Sequence, residues 1–290
     1  MGSNIKLEHY VPQFYLRNFS VGNNGKALFC FDKCTSKRFI VPVRNIACEK
    51  YFYDVTKADQ LVEINLARIE SKLGAAYDKL ITKKDLNSLS WTDRVSLANF
   101  VAVQELRTRE MREFLGDMVR QFTTKLSEHK LSDDIKKQLQ EINKAEYPKE
   151  FQIRMFQNVK EFSDIILSMK WILIENNTKM LFWTSDHPIN RYNPKKDILG
   201  NLGYLSSGIQ IFFPLTPLLS LCLCDLVEYF AYPEKMKTDN IDNVIFENHL
   251  QVMWSTRFVL SQDDDFSLAE NMLEKEPELR NVKRKRVAVN

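Results

Sequence analysis

Trp171-Ile172-Leu173-Ile174-Glu175-Asn176-Asn177, followed by Met180-Leu181-Phe182-Trp183-Thr184-Ser185-Asp186-His187-Pro188, is the stretch that decides the fold class. Short apolar runs bounded by turn residues read as strands, and two of them around Asn-Asn read as a hairpin. Its second strand is expected to end in two hydroxyls, a carboxylate, an imidazole and a rigid proline. Strand ends backed by a sheet hold reacting groups in fixed positions.

Upstream, from about residue 59 to about 170, the spacing is helical. Leu66, Ile69, Leu73, Tyr77 and Leu80 mark one apolar face. Ser90 with Asp93 forms an N-terminal capping signature. Val95 to Leu106 is apolar nearly all round, which predicts a buried helix. Arg109 to Lys149 is more charged and Pro148 interrupts it; Phe151 to Leu167 resumes the helical period.

Nearer the start, Pro12 suits a helix N-terminus, Asn23-Asn24-Gly25 a turn, and Ala27–Phe31 a strand paired with Arg38–Val43. Pro42 places that partner at a sheet edge. Downstream, residues 208–214 and 220–224 read as strands, 240–251 as a helix, 254–260 as a strand and 266–273 as a closing helix. Strands, helices, strands and helices follow without regular βαβ alternation. The expected class is therefore α+β, a mixed or antiparallel sheet from both chain ends packed on a central helical segment. One domain over 1–290 is expected, with 59–170 mainly helical and 280–290 a solvated basic tail carrying Lys283-Arg284-Lys285-Arg286.

The 290 residues are 44% apolar and 27% charged, enough for a sizeable core without disulfides or a structural metal. The net charge of +3 gives no general electrostatic case for nucleic acid, although a local groove is compatible with it. Five cysteines, an odd number, and no leader pattern suit a reducing cytoplasm. No apolar run approaches the roughly 18 residues that span a bilayer, so no membrane is expected. Lys6 stands where a myristoylation signal wants Ser or Thr. A glycine-rich phosphate loop, His-Glu-x-x-His and Gly-x-Ser-x-Gly are all absent, which removes the usual signatures of ATP-dependent phosphoryl transfer, zinc proteolysis and serine hydrolysis. Cys30-x₃-Cys34 lacks the further ligands of a zinc site, and Cys222 and Cys224 read as packing thiols.

Candidate chemistry lies at four places. His9, before a helix start, can serve as acid or base, or as a cap. Gln104 and Arg107 point inward from the buried helix. A buried guanidinium needs a carboxylate, a phosphate or several carbonyls, so Arg107 either holds an anionic substrate that Gln104 orients or pairs with Glu70. Glu70, one heptad after Glu63, is a further acid–base candidate. Asp186, beside Ser185, either binds a metal, acts as a base, orients His9, or caps backbone N–H groups as an Asx turn. His187 reads as a loop residue.

These residues fall in His9-Tyr10-Val11-Pro12-Gln13-Phe14-Tyr15-Leu16-Arg17-Asn18-Phe19, Glu63 with Glu70, Gln104-Glu105-Leu106-Arg107-Thr108, Phe182–Pro188, Phe213-Pro214-Leu215-Thr216-Pro217, and Asn248 with Gln251. In that order and over nearly the whole chain, the sequence resembles a family of bacterial, archaeal and phage proteins designated domain of unknown function 4238. The family pattern has a second histidine where Glu8 stands and an asparagine where His187 stands. The first departure weakens a paired-histidine metal site. The resemblance implies positions for the motifs and names no reaction.

Two functions follow as expectations. One is a hydrolase, a nuclease-like phosphodiesterase acting as a defence effector or toxin, with His9, Asp186 and Glu70 catalytic and Gln104, Arg107, Ser185 and Asn248 binding substrate. A divalent metal is compatible with it, as is nucleic acid or a nucleotide as partner. The other is a non-catalytic sensor of a nucleotide, peptide or phage component; a protein partner or homo-oligomer fits either. A purely structural polar network is the third possibility.

Overall fold

A computed structural model describes residues 7–53, 61–130, 132–142, 144, 146–195 and 202–286, without the side chains of 61–65 and 72. In chain order the elements begin with β1 (Leu7–His9), α1 (Gln13–Leu16), β2 (Ala27–Asp32), β3 (Lys37–Pro42) and β4 (Cys48–Lys50). The helical middle follows as α2 (Leu61–Lys83), α3 (Trp91–Arg107), α4 (Arg109–Ser127), α5 (Asp133–Ile142), α6 (Tyr147–Met155) and α7 (Val159–Ser168). Then come β5 (Lys170–Asn176), β6 (Thr184–Ser185), β7 (Asn190–Tyr192), β8 (Gln210–Thr216), β9 (Leu219–Cys224) and β10 (Lys235–Thr238). Last are α8 (Ile241–Trp254), β11 (Phe258–Ser261) and α9 (Ser267–Lys275). The fold is α+β.

Three sheets form. A five-stranded sheet runs β10-β5-β9-β8-β7, antiparallel except for the parallel β10–β5 pair. A four-stranded antiparallel sheet runs β3-β2-β11-β6, so strands from both ends of the chain share it. β1 and β4 make a separate two-stranded ribbon. Pro42 ends β3 at the edge of its sheet, where a missing N–H costs nothing.

The expected hairpin does not form. β5 pairs with β9 and β10, while the chain after Asn176 leaves the sheet and enters the other one as β6, against β11. Asn177 N–H donates to Thr238 O and Phe182 N–H to Pro217 O along the way. An apolar run shows that a segment is buried; it does not name the strand that will lie beside it.

Alternation along the five-stranded sheet divides it. Leu173, Leu221, Leu223 and Phe213 face the main core with Tyr77, Leu80, Phe100 and Val101 of α2 and α3. Ile172, Phe212 and Cys222 face the other way, toward Leu250 and Phe246 of α8. A third cluster, with Phe31, Trp183, Val259 and Phe266, lies under α9. α3 begins at Ser90 with the predicted capping box: Ser90 Oγ accepts from Asp93 N–H, and Asp93 accepts from Ser90 N–H. From Phe100 to Arg107 every residue of α3 is buried. α8 reaches Trp254, so the last strand starts at Phe258 and not at 254.

The segment 283–286 is solvated only at Lys283 and Lys285; its two arginines turn inward. Arg286 and Arg284 are 3% and 9% exposed and meet Glu110 of α4, while Lys283 Nζ lies 2.7 Å from Glu113. A run of basic residues reads as solvated only when no buried carboxylate awaits it.

Candidate functional site

The β1–β4 ribbon fixes His9. Its register sets His9 opposite Cys48 and Glu8 opposite Glu49. His9 Nε2 lies 3.1 Å from the Arg44 carbonyl, which can only accept, so Nε2 carries the proton. Nδ1 is then a lone-pair acceptor, and no described residue donates to it. Burial lowers the His9 pKa first, the Arg44 carbonyl raises it, and the Arg107 and Glu70 charges pull in opposite directions; the net effect is downward. Neutral His9 at pH 7 is a base with a fixed tautomer.

Arg107, 1% exposed, ties this region together. Its Nη1 lies 2.6 Å from Glu70 Oε1, its Nη2 donates to the His9 carbonyl, and its Nε donates to Tyr53 Oη at 3.3 Å. Tyr53 Oη donates in turn to the Arg107 carbonyl. One guanidinium thus fixes the Glu70 carboxylate relative to the His9 backbone. The Glu70 side chain is 27% exposed, leaving its second oxygen toward solvent. Gln104 Nε2 donates to the Tyr10 carbonyl at 3.0 Å, and its Oε1 is buried without a partner among the described residues. Glu8 is buried and accepts from Tyr53 N–H at 2.7 Å. Ala47 and Tyr51, either side of β4, have φ of +52° and +53°. Left-handed backbone at non-glycine residues costs free energy and gathers at functional sites.

Four of the seven expected site residues therefore come together: His9, Glu70, Gln104 and Arg107. The other three are engaged with backbone elsewhere. Asp186, 1% exposed, accepts from Thr256 N–H through Oδ1 and from Arg257 and Phe258 N–H through Oδ2, all within 2.9 Å. It caps the turn into β11 from 70–72 residues away, which is not the local Asx turn expected, and it does not orient His9. Burial pushes its pKa up to about 6 against the Phe258 and Arg257 N–H groups and the Lys33 ammonium. Ser185 Oγ donates to Gln251 Oε1 at 2.7 Å and accepts from His187 N–H at 3.1 Å, and Asn248 accepts from Trp183 N–H and donates to Leu181 O. These contacts pin the 181–187 crossing to α8. Arg107 likewise does not stand open to an anion, since each of its nitrogens already donates to a protein acceptor.

His187 is a buried residue and not a loop ornament. Thr108 Oγ1 accepts from Met111 N–H at the start of α4 and shares a hydrogen bond with His187 Nδ1 at 2.7 Å. Burial lowers the His187 pKa, with Glu105 and Glu110 opposing. Lys33 and Glu110, both buried, had no signal in the sequence, because their partners lie more than 140 residues away. Tyr53 and Arg44 were missed for the same reason: nothing local shows that β4 returns to β1. Among the described residues, no group of three or more His, Cys, Asp or Glu side chains is placed to hold a metal ion. No described helix is long and apolar enough to cross a membrane.

The model of the family described as protein of unknown function, DUF4238, matches residues 8–265, so the chain belongs to that family. No curated protein and no solved structure matches the chain.

Proposed function

We propose that the chain is a hydrolase of the phosphodiesterase type, acting as a nuclease-like effector in microbial defence or as a toxin, with His9 as general base. The observation that carries this is a neutral, tautomer-fixed His9 whose Nδ1 meets no donor among the described residues, on a backbone that Arg107 ties to the partly exposed Glu70 carboxylate, whose charge acts on the ring. In this mechanism Nδ1 takes a proton from water while the water oxygen bonds to phosphorus. The phosphorus–alkoxide bond breaks, and the imidazolium returns the proton to the departing oxygen. Glu70 stabilises the imidazolium while it exists. Arg107 and Gln104 are positioning residues: they hold Glu70 and the His9–Tyr10 backbone. The exposed Arg44 and Lys50 add positive charge near the ribbon, while Arg109 is paired with Glu49.

The test is hydrolysis of bis(p-nitrophenyl) phosphate and of single- and double-stranded oligonucleotides by the intact protein. His9→Gln is expected to lower kcat at least 100-fold, in the range of lost acid–base catalysis, without lowering the melting temperature; Glu70→Gln lowers kcat and also stability, because it leaves the buried Arg107 guanidinium without its carboxylate. Full activity in His9→Gln, or no hydrolysis of any substrate, overturns the hydrolase. The non-catalytic sensor draws support from Asp186, whose oxygens are committed to backbone. In that case His9→Gln changes ligand affinity alone.

A further inference from the structure

The sheet face turned toward α8 is only partly covered by it. Beside the helix the face opens as a groove of about 280 Å³, floored by Ile172 and Cys222 and walled by the rings of Phe212, Tyr229 and Phe246. Phe246 stands edge-on to Phe212, with ring centres 5.6 Å apart. This volume is slightly below the range that takes drug-sized ligands, so a single flat ring system fits.

Two polar groups inside it have unused capacity. Glu247, 4% exposed, lines the groove; Ser220 Oγ donates to its Oε2 at 2.6 Å, and its Oε1 has no partner among the described residues and is not sealed from the groove. Burial pushes the Glu247 pKa up to about 8, so at neutral pH the carboxyl is an O–H donor. Gln210 Nε2 donates to Tyr229 Oη at 2.6 Å, which leaves the Gln210 amide oxygen as an acceptor. A charged carboxylate ligand would sit badly on this floor. A flat ring whose edge carries an acceptor nitrogen next to an amino group matches it, with apolar faces against the aromatic walls. Lys237, exposed at the groove, suits an anionic substituent directed outward.

We propose that this groove binds an amino-substituted nitrogen heterocycle of the adenine or cytosine class, packed on Tyr229 and Phe246 and read by Glu247 and Gln210. The site shares no residue with the His9 cluster and does not depend on the hydrolase.

Titration calorimetry of the intact protein with adenosine, cytidine, inosine and uridine tests it. Adenosine or cytidine is expected to saturate at millimolar concentration or below. Inosine and uridine, whose edges reverse donor and acceptor, bind about tenfold more weakly, the scale of one lost hydrogen bond. Glu247→Met and Gln210→Met each weaken adenosine about tenfold, whereas Glu247→Gln, which keeps a donor, retains it. Met236→Trp, at the exposed rim, blocks binding without touching the buried floor. AMP and a short oligo-dA separate a free nucleotide from a base within a strand. His9→Gln leaves binding unchanged. No saturation with any nucleoside, equal affinity for all four, or full affinity in both Glu247→Met and Met236→Trp overturns the proposal.

Discussion

Arg286 grips Glu110 at two points, Nε on Oε1 at 2.6 Å and Nη2 on Oε2 at 2.9 Å, across 176 residues of chain. Arg284 adds a third contact at 3.0 Å, and Arg286 N–H donates to Asp117 at 2.7 Å. Burial alone would raise the Glu110 pKa; the two arginines outweigh it and hold the carboxyl below its ordinary value. Replacing Arg284 and Arg286 by alanine leaves that carboxylate buried and unpaired, at a cost of about 3–5 kcal/mol. Urea denaturation measures this, and adding Glu110→Gln is expected to recover part of the loss. Unchanged stability in the double-alanine variant would contradict the docked segment.

Arg107→Lys is expected to destabilise the protein by a comparable amount, because a lysine has one nitrogen where Glu70, the His9 carbonyl and Tyr53 are each met by a different one. His9→Gln, on a half-buried ribbon, is expected to melt within about 0.5 kcal/mol of the parent. Equal stabilities of Arg107→Lys and His9→Gln would show that the guanidinium is not the centre of the cluster.

Glu247 gives a pH dependence of defined sign. Its pKa rises from 4.5 to about 8 in the folded chain. A raised value means that the folded state binds the proton more tightly, so stability is full below about pH 4.5 and is lost as pH climbs toward 8. The slope from this group is about 1.4 kcal/mol per pH unit inside that window. Glu247→Gln should flatten the curve and melt higher than the parent at pH 8. A parent no more pH-sensitive than the variant would place the carboxylate in a wetter setting.

In the proposed mechanism His9 sets the acid limb of the rate profile. The base is the neutral ring and its pKa is lowered from 6.5, so the rate should fall only below that pH. Glu70 raises the ring's pKa and Arg107 lowers it, so Glu70→Gln should move the limb to lower pH. A limb that moves up, or none at all, would assign the proton transfer to another group.

Much of this was visible in the residues. The Ser90–Asp93 cap, the 27–42 hairpin with Pro42 at its edge, and the inward Gln104 and Arg107 all follow from local spacing. The Arg107–Glu70 pair was one of two partners that burial of a guanidinium demands. What was not visible depends on distant segments. β5 looked like half of a local hairpin because two apolar runs flank Asn176-Asn177, yet β9 supplies its partner from more than 40 residues on. The basic 283–286 segment looked solvated and Lys33 drew no reading at all, since a cation in a sequence carries no mark of the carbonyls or carboxylates that will meet it. Lys33 Nζ ends on the Val252 and Ser255 carbonyls at 2.7 and 2.6 Å.

The stretch between β5 and β6 belongs first to one sheet and then to the other, with Asn248 and Gln251 of α8 clamping it. Neither sheet can open without dragging this shared strap and its helix along. Amide hydrogens at Leu173 and Leu260, one in each sheet, should therefore exchange with the same protection, in a single cooperative unit of unfolding.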